Sequence, residues 1–261
     1  MKTIKLFLLA LCVTGLYSCN NSDDNKPVNI PGVKGRPVEF NVNGFLDSYH
    51  YINENRLSKI IYGSDESYTT EFHYTGNELT QCTFTYPSSH TGISNLEFKK
   101  TGSHKIIVTL NFPENISSFQ SVELNDSGLP IRIIRGISED EEDCFCEFSY
   151  YPGSNKLYRK KLFSEQKETY TTHTFIYDDN PGSSSQIDFP IWARIYLHEL
   201  HKKSVSDEQW LNYTNNVIRI DITSISKPST ESQEYLYTYD EEGYPVSVIE
   251  PIYGYTINIK Y

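Results

Sequence analysis

The chain has 261 residues and carries 34 acidic against 23 basic side chains, a formal net charge of −11. Such a surface repels phosphate backbones and argues against a nucleic-acid partner. With one methionine against 21 tyrosines and 13 phenylalanines, the core must be built from aromatic and branched side chains, which suit a pleated surface.

Residues 1–18 read as a lipoprotein signal peptide. Lys2 and Lys5 precede an apolar run from Ile4 to Leu16, and Leu16-Tyr17-Ser18-Cys19 follows. The apolar run is too short to span a bilayer, which needs roughly 20 apolar residues. Cys12 is the poorer cleavage point because bulky Leu11 precedes it. Cys19 is therefore expected to be the acylated first residue of the mature protein, with the membrane as its partner through that lipid anchor. Cleavage removes Lys2 and Lys5 and no acid, so the mature net charge is 21 − 34 = −13.

Residues 19–36 read as a flexible acidic tether, since Asn20 to Pro27 is polar and lacks apolar periodicity. Ser22, Asp23 and Asp24, close behind Cys19, resemble the acidic export signal of surface lipoproteins in Bacteroidota-type bacteria. The alternative is a generic solvated linker. The resemblance implies a lipid-anchored outer-membrane protein facing the cell exterior.

Residues 37–261 then form a single domain of about fourteen short strands. Phe72 to Leu79, Val122 to Ile131, Phe148 to Leu157, Phe175 to Gly182 and Leu236 to Val246 share one design. Each has an apolar strand ending, a polar turn containing Gly, and in most cases an apolar residue opening the next strand, which is the chemistry of a β-hairpin. Ile106, Val108, Leu110 and Phe112 alternate with polar residues, as do Ile218, Ile220 and Ile222, and Tyr255, Ile257, Ile259 and Tyr261. Clean alternation means one covered face and one wet face, the antiparallel habit. The expected fold is all-β: a curved antiparallel meander, open or half-barrel, with a short helical insertion covering one face.

Between the strands lie features with two readings each. Cys144 and Cys146 fall on one strand face, and one of them can bridge to Cys82; buried apolar thiols are the preferred alternative. Glu139 to Asp143 lacks the alternate spacing and turn Gly of a calcium loop and reads as a solvated hairpin tip. The insertion lies near 190–213. Pro190 to Lys203 has a helical period that puts Trp192, Ala193, Tyr196, Leu197 and Leu200 on one arc and Arg194, His198, His201 and Lys202 on the other. The first arc is expected against the sheet and the second in water. Ser206-Asp207-Glu208-Gln209 has the form of a capping box for a second short helix.

The hairpin unit resembles the tyrosine–aspartate repeats of bacterial surface proteins, with strict Tyr-Asp at Tyr177-Asp178 and Tyr239-Asp240. Taken whole, the chain resembles a Bacteroidota-type outer-membrane lipoprotein family of unknown function with degenerate repeats of this kind. These motifs are turn chemistry and carry no catalytic residues across.

Searching for chemistry leaves little. His198-Glu199-Leu200-His201 is one residue short of the metalloprotease helix, and Arg194 and Lys202 on the same arc would repel a cation. Gly92 to Leu96 lacks the last Gly of a nucleophile elbow. The sequence points to a non-enzyme with no cofactor and no metal. Tyr235, Tyr237 and Tyr239 share one strand face, with Tyr244, Tyr253 and Tyr255 nearby. Exposed, Tyr235, Tyr237 and Tyr239 would form a platform for a glycan or protein ligand; buried, they are packing. The expected function is a surface-exposed, non-catalytic binding module. The alternative is a carrier or structural lipoprotein holding a lipid or other apolar ligand between sheet and helix.

Overall fold

A computed structural model describes residues 33–63, 68–86, 93–113, 116–136, 143–163, 169–200, 209–225 and 227–261. The signal peptide, Cys19, Ser22, Asp23, Asp24, His201 and the start of the second helix lie outside these residues. The strands are β1 (Glu39–Val42), β2 (Phe45–Ile52), β3 (Arg56–Tyr62), β4 (Tyr68–Thr75), β5 (Glu78–Thr85), β6 (Asn95–Thr101), β7 (Lys105–Asn111), β8 (Ser117–Leu124) and β9 (Pro130–Gly136). They continue with β10 (Asp143–Tyr150), β11 (Leu157–Phe163), β12 (Thr169–Pro181), β13 (Asn215–Ser224), β14 (Lys227–Glu234), β15 (Leu236–Tyr239), β16 (Pro245–Glu250) and β17 (Tyr255–Lys260). One helix, α1 (Ile191–Leu200), interrupts them between β12 and β13.

The seventeen strands form one antiparallel sheet, and the expected meander is what is found. Each strand pairs with its successor from β1 to β14, and β15 with β16 and β16 with β17. The sheet curls further than a half-barrel, because β17 pairs back onto β1 from Glu39↔Lys260 to Val42↔Ile257. One seam remains. β14 and β15 are a single segment bent at Tyr235: its first part pairs with β13 and its second with β16. Tyr237 reaches over this seam, its hydroxyl donating to the Val217 carbonyl at 3.0 Å.

Alternation puts the core inside the ring. Phe40, Tyr49, Leu57, Ile60, Phe72, Leu96, Val108, Val122, Phe148, Phe175, Val248 and Ile257 are all buried. The outer wall carries charge. Lys105, Glu123, Arg132, Glu147, Lys161 and Thr172 pair successively in one row from β7 to β12. Arg132 lies 3.5 Å from Glu123 and 3.3 Å from Glu147. A second row runs Lys59, Glu71, Thr83, Asn95, Asn111, Ser117. A membrane-spanning barrel has the reverse arrangement, an apolar band outside and polar side chains within, and a Lys or Arg at its lipid-facing midplane costs about 2–4 kcal/mol. This wall is built to meet water.

The helix does not lie on a face with one side wet. Seven consecutive residues, Ala193 to Glu199, are buried, which is two turns and every direction around the axis. Trp192 and Tyr196 meet Phe98 of β6, Tyr196 donates to Gln120 of β8, and Glu199 pairs with Lys160 of β11. Leu197 and His198 face Tyr62, Phe72 and Phe84 of β3, β4 and β5. The helix therefore plugs the lumen, which corrects the expectation that Arg194 and His198 face solvent. Both are buried, at 3% and 4% exposure. Inside a nearly closed ring an amphipathic helix has no wet side, so its polar arc must be satisfied internally.

The tether also ends earlier than expected. Arg36 is 1% exposed and lies over the Tyr51 ring, and Lys34 sits 2.9 Å from both Asp240 and Glu242. Gly35 has φ +77° and accepts a hydrogen bond from the Gln186 amide, in a space where a Cβ would fall 2.7 Å from Ser185 Oγ. Residues 33–36 belong to the domain.

Candidate functional site

Strand direction divides the barrel into two ends. The near end receives the chain at Val33–Arg36 and carries the turn Asp240–Tyr244 that Lys34 grips. Every second turn, including Asn43–Gly44 and Pro251–Gly254, falls at the far end, roughly 25 Å away for strands of eight residues.

The tyrosine stripe faces the lumen. Tyr235 is 4% exposed, while Tyr237 and Tyr239 are half-buried with stacked rings 5.9 Å apart. Leu236 and Thr238 point outward instead. The expectation of an exposed platform at Tyr235, Tyr237 and Tyr239 is therefore corrected: they are packing. Their hydroxyls have internal tasks. Tyr237 bonds Asn212 and Val217, and Tyr239 donates to Asp178 in a very short hydrogen bond. Burial, and then Asp178, push the Tyr239 phenol pKa up. Asp178 also accepts from the Asn180 amide, the Asn216 amide and Asn216 Nδ2 at 3.0–3.2 Å. The two Tyr-Asp motifs thus meet in space. The aspartate of the first binds the tyrosine of the second, while Asp240 caps its own turn through the Glu242 and Tyr244 amides.

The plug holds the buried charges. Glu199 accepts from Lys160 Nζ at 2.8 Å, from His198 Nδ1 at 3.1 Å and from Cys146 Sγ at 3.8 Å. Arg194 donates to the carbonyls of Phe189, Ser184 and Ile187, and burial pulls its guanidinium pKa down to about 10. Cys82 and Cys146 are buried, and burial raises the Cys82 thiol pKa. Among the described residues no three His, Cys, Asp or Glu side chains gather as metal ligands. The crevice between Tyr62, Thr70, Phe84, Leu197, His198 and Trp210 has a volume of about 10 Å³, room for about one water molecule. Stripe and plug are thus packed from within.

The surface that has no such partner is at the far end. Of the twelve large apolar side chains exposed among the described residues, Phe45, Ile116, Phe119, Tyr170, Ile225, Ile249, Ile252, Tyr253 and Tyr255 lie in the far half. Four of these sit on two adjoining hairpin tips: Phe45 at 73% exposure, Ile252 at 60%, Tyr253 at 67% and Tyr255 at 37%. The tips are built rigidly. Glu250, 2% exposed, turns its carboxylate on the Ile252 and Tyr253 amides at 3.2 and 2.9 Å, and its carbonyl accepts from the Gly254 amide. Gly254 supplies the φ of +70° that this reversal needs. The neighbouring tip is stitched on: the Asn43 amide donates to the Thr256 carbonyl at 3.1 Å, and the Thr256 amide to Asn43 Oδ1 at 2.9 Å. Tyr253 and Tyr255 stand with ring centroids 6.1 Å apart.

Sequence reasoning noticed Tyr253 and Tyr255 but ranked them behind the inward stripe, and missed Phe45 and Ile252. The available signal was apolar side chains within turns, Asn43-Gly44-Phe45 and Pro251-Ile252-Tyr253-Gly254, where polar residues are the norm.

No protein-family model and no curated protein matches the chain. Among the solved structures to which it is similar are two porin-like proteins. One is a porin-like protein from Bacteroides uniformis ATCC 8492, at 13% identity and TM-score 0.39, covering 87% of this chain and 98% of that one. The other is a porin-like protein from Bacteroides vulgatus ATCC 8482, at 12% identity and TM-score 0.40, covering 86% and 98%. Likeness at that level leaves function to the geometry of this chain.

Proposed function

We propose that the protein is a lipid-tethered, non-catalytic binding module of the outer membrane, displayed on the cell exterior, which captures a glycan or protein ligand with the far end of its barrel. The observation that carries this reading is the rigid apolar pair of hairpin tips at Phe45 and Ile252–Tyr255, exposed at the end opposite the tether. Large apolar side chains on fixed turns lose little side-chain freedom when a ligand covers them. The tether favours the same orientation. The chain enters the barrel at Val33–Arg36 of the near end, so acylated Cys19 attaches on the side away from the tips. The carrier alternative needs space beneath the helix, and the crevice that the described residues leave there, about 10 Å³, is too small for an acyl chain.

Three measurements test the proposal. Metabolic labelling with a fatty acid should mark the wild-type protein and not Cys19→Ala. On intact cells the Asp23→Ala/Asp24→Ala variant should lose labelling by external protease or antibody, and unchanged labelling at normal expression refutes the export signal. A photo-crosslinking amino acid at Tyr253 should then give a covalent adduct on cells, while one at Thr172 on the outer wall should give none. No adduct from either position refutes the binding reading.

A further inference from the structure

Resting on that reading, we infer that the ligand of the two hairpin tips is a neutral glycan, held by stacking on Tyr253, Tyr255 and Phe45. Size argues first. A specific protein partner ordinarily covers about 800 Å² and 20–30 residues on each side, with an apolar centre. Here the apolar centre is four side chains on two turns. Beside it on the outer wall Ile249 and Leu236 add one exposed cross-strand pair, and along β3 to β8 the wall carries the polar row from Lys59 to Ser117.

Chemistry argues second. The faces of a sugar ring bear C–H groups that rest on the electron-rich face of an aromatic ring, and its rim bears hydroxyls. Tyr253 and Tyr255 offer both a ring and a hydroxyl, and centroids 6.1 Å apart let adjoining sugars of one oligosaccharide touch both. Charge argues third. A mature net of −13 disfavours uronate, sulfate or phosphate polymers and anionic lipid surfaces alike.

The rigidity of the tips has a purpose in this arrangement. The Glu250 carboxylate and the Asn43–Thr256 pair of hydrogen bonds fix ring spacing before a ligand arrives. Glu250 is a positioning residue: it is 2% exposed and touches the ligand only through the turn it holds.

The test uses the full-length acylated protein in phosphatidylcholine nanodiscs, because glycosidic detergents would compete. An array of neutral, uronate and sulfated oligosaccharides is screened, and retained ligands are titrated calorimetrically. At least one neutral oligosaccharide should bind. Its affinity should fall about tenfold or more for Tyr253→Ala and for Phe45→Ala, and stay within about threefold for Tyr253→Phe, which keeps the ring. Ile131→Ala at the near end of the outer wall should change nothing, and the melting midpoints of the tip variants should match wild type. Retention of anionic glycans alone overturns the inference. So does binding to phosphatidylcholine vesicles that Tyr253→Ala abolishes. A protein adduct from the Tyr253 crosslinker with no glycan retained overturns the glycan and leaves the binding module standing. No adduct and no retained glycan overturns both.

Discussion

The helix packs the Lys160–Glu199 pair inside the barrel, and how well it seals that pair is measurable. Both side chains are 2–3% exposed and their charged atoms are 2.8 Å apart. Glu199→Gln keeps the shape of the side chain and removes its charge, leaving the Lys160 ammonium in a desolvated interior without the carboxylate. Breaking one side of a buried ion pair costs about 3–5 kcal/mol. For a domain of this size each kcal/mol moves the midpoint by about 2–4 °C, so the expected loss is about 6–20 °C. Calorimetry or circular dichroism on the full-length protein reads it. Lys160→Met/Glu199→Leu removes both charges and should recover most of the loss, since well-packed apolar side chains replace buried pairs without penalty. A Glu199→Gln midpoint within about 2 °C of wild type, on that same scale, would mean that water reaches the pair and that the helix does not seal the lumen.

Three further outcomes follow from particular contacts. Gly35→Ala should free the Val33–Arg36 segment, because its φ is left-handed and its Cβ has no room; trypsin should then cut after Lys34 faster, and an unchanged cleavage rate would count against the docking. Asp178→Ala leaves the Tyr239 hydroxyl and the Asn216 groups without their acceptor and should destabilise by about 1–3 kcal/mol in urea melts; a loss below about 0.5 kcal/mol, the scale of an ordinary surface change, would show that the two Tyr-Asp motifs do not support each other. Tyr235→Ala empties a buried site and should lower stability by about 3–5 kcal/mol with no defect in ligand capture by the folded fraction; lost capture at unchanged stability would restore the stripe as a ligand platform.

The sequence determined the class of fold because hairpin chemistry is local. Gly-containing turns and period-two alternation are set by φ angles and pleat geometry, so the antiparallel meander was legible, as were the inward positions of Val108, Leu110, Ile257 and Ile259. Closure was not, because it depends on β17 meeting β1, a pairing between residues more than two hundred positions apart that no local pattern encodes. That one contact decided the rest. Once the sheet closes, a face that could have been wet becomes a lumen, the helix loses its solvent side, and Arg194 and His198 must find partners inside. The same closure turned the Tyr235–Tyr239 stripe inward and left Phe45, Ile252, Tyr253 and Tyr255 as the exposed apolar cluster at the tips. Periodicity states which residues share a face; only the curl of the sheet states which face is inside.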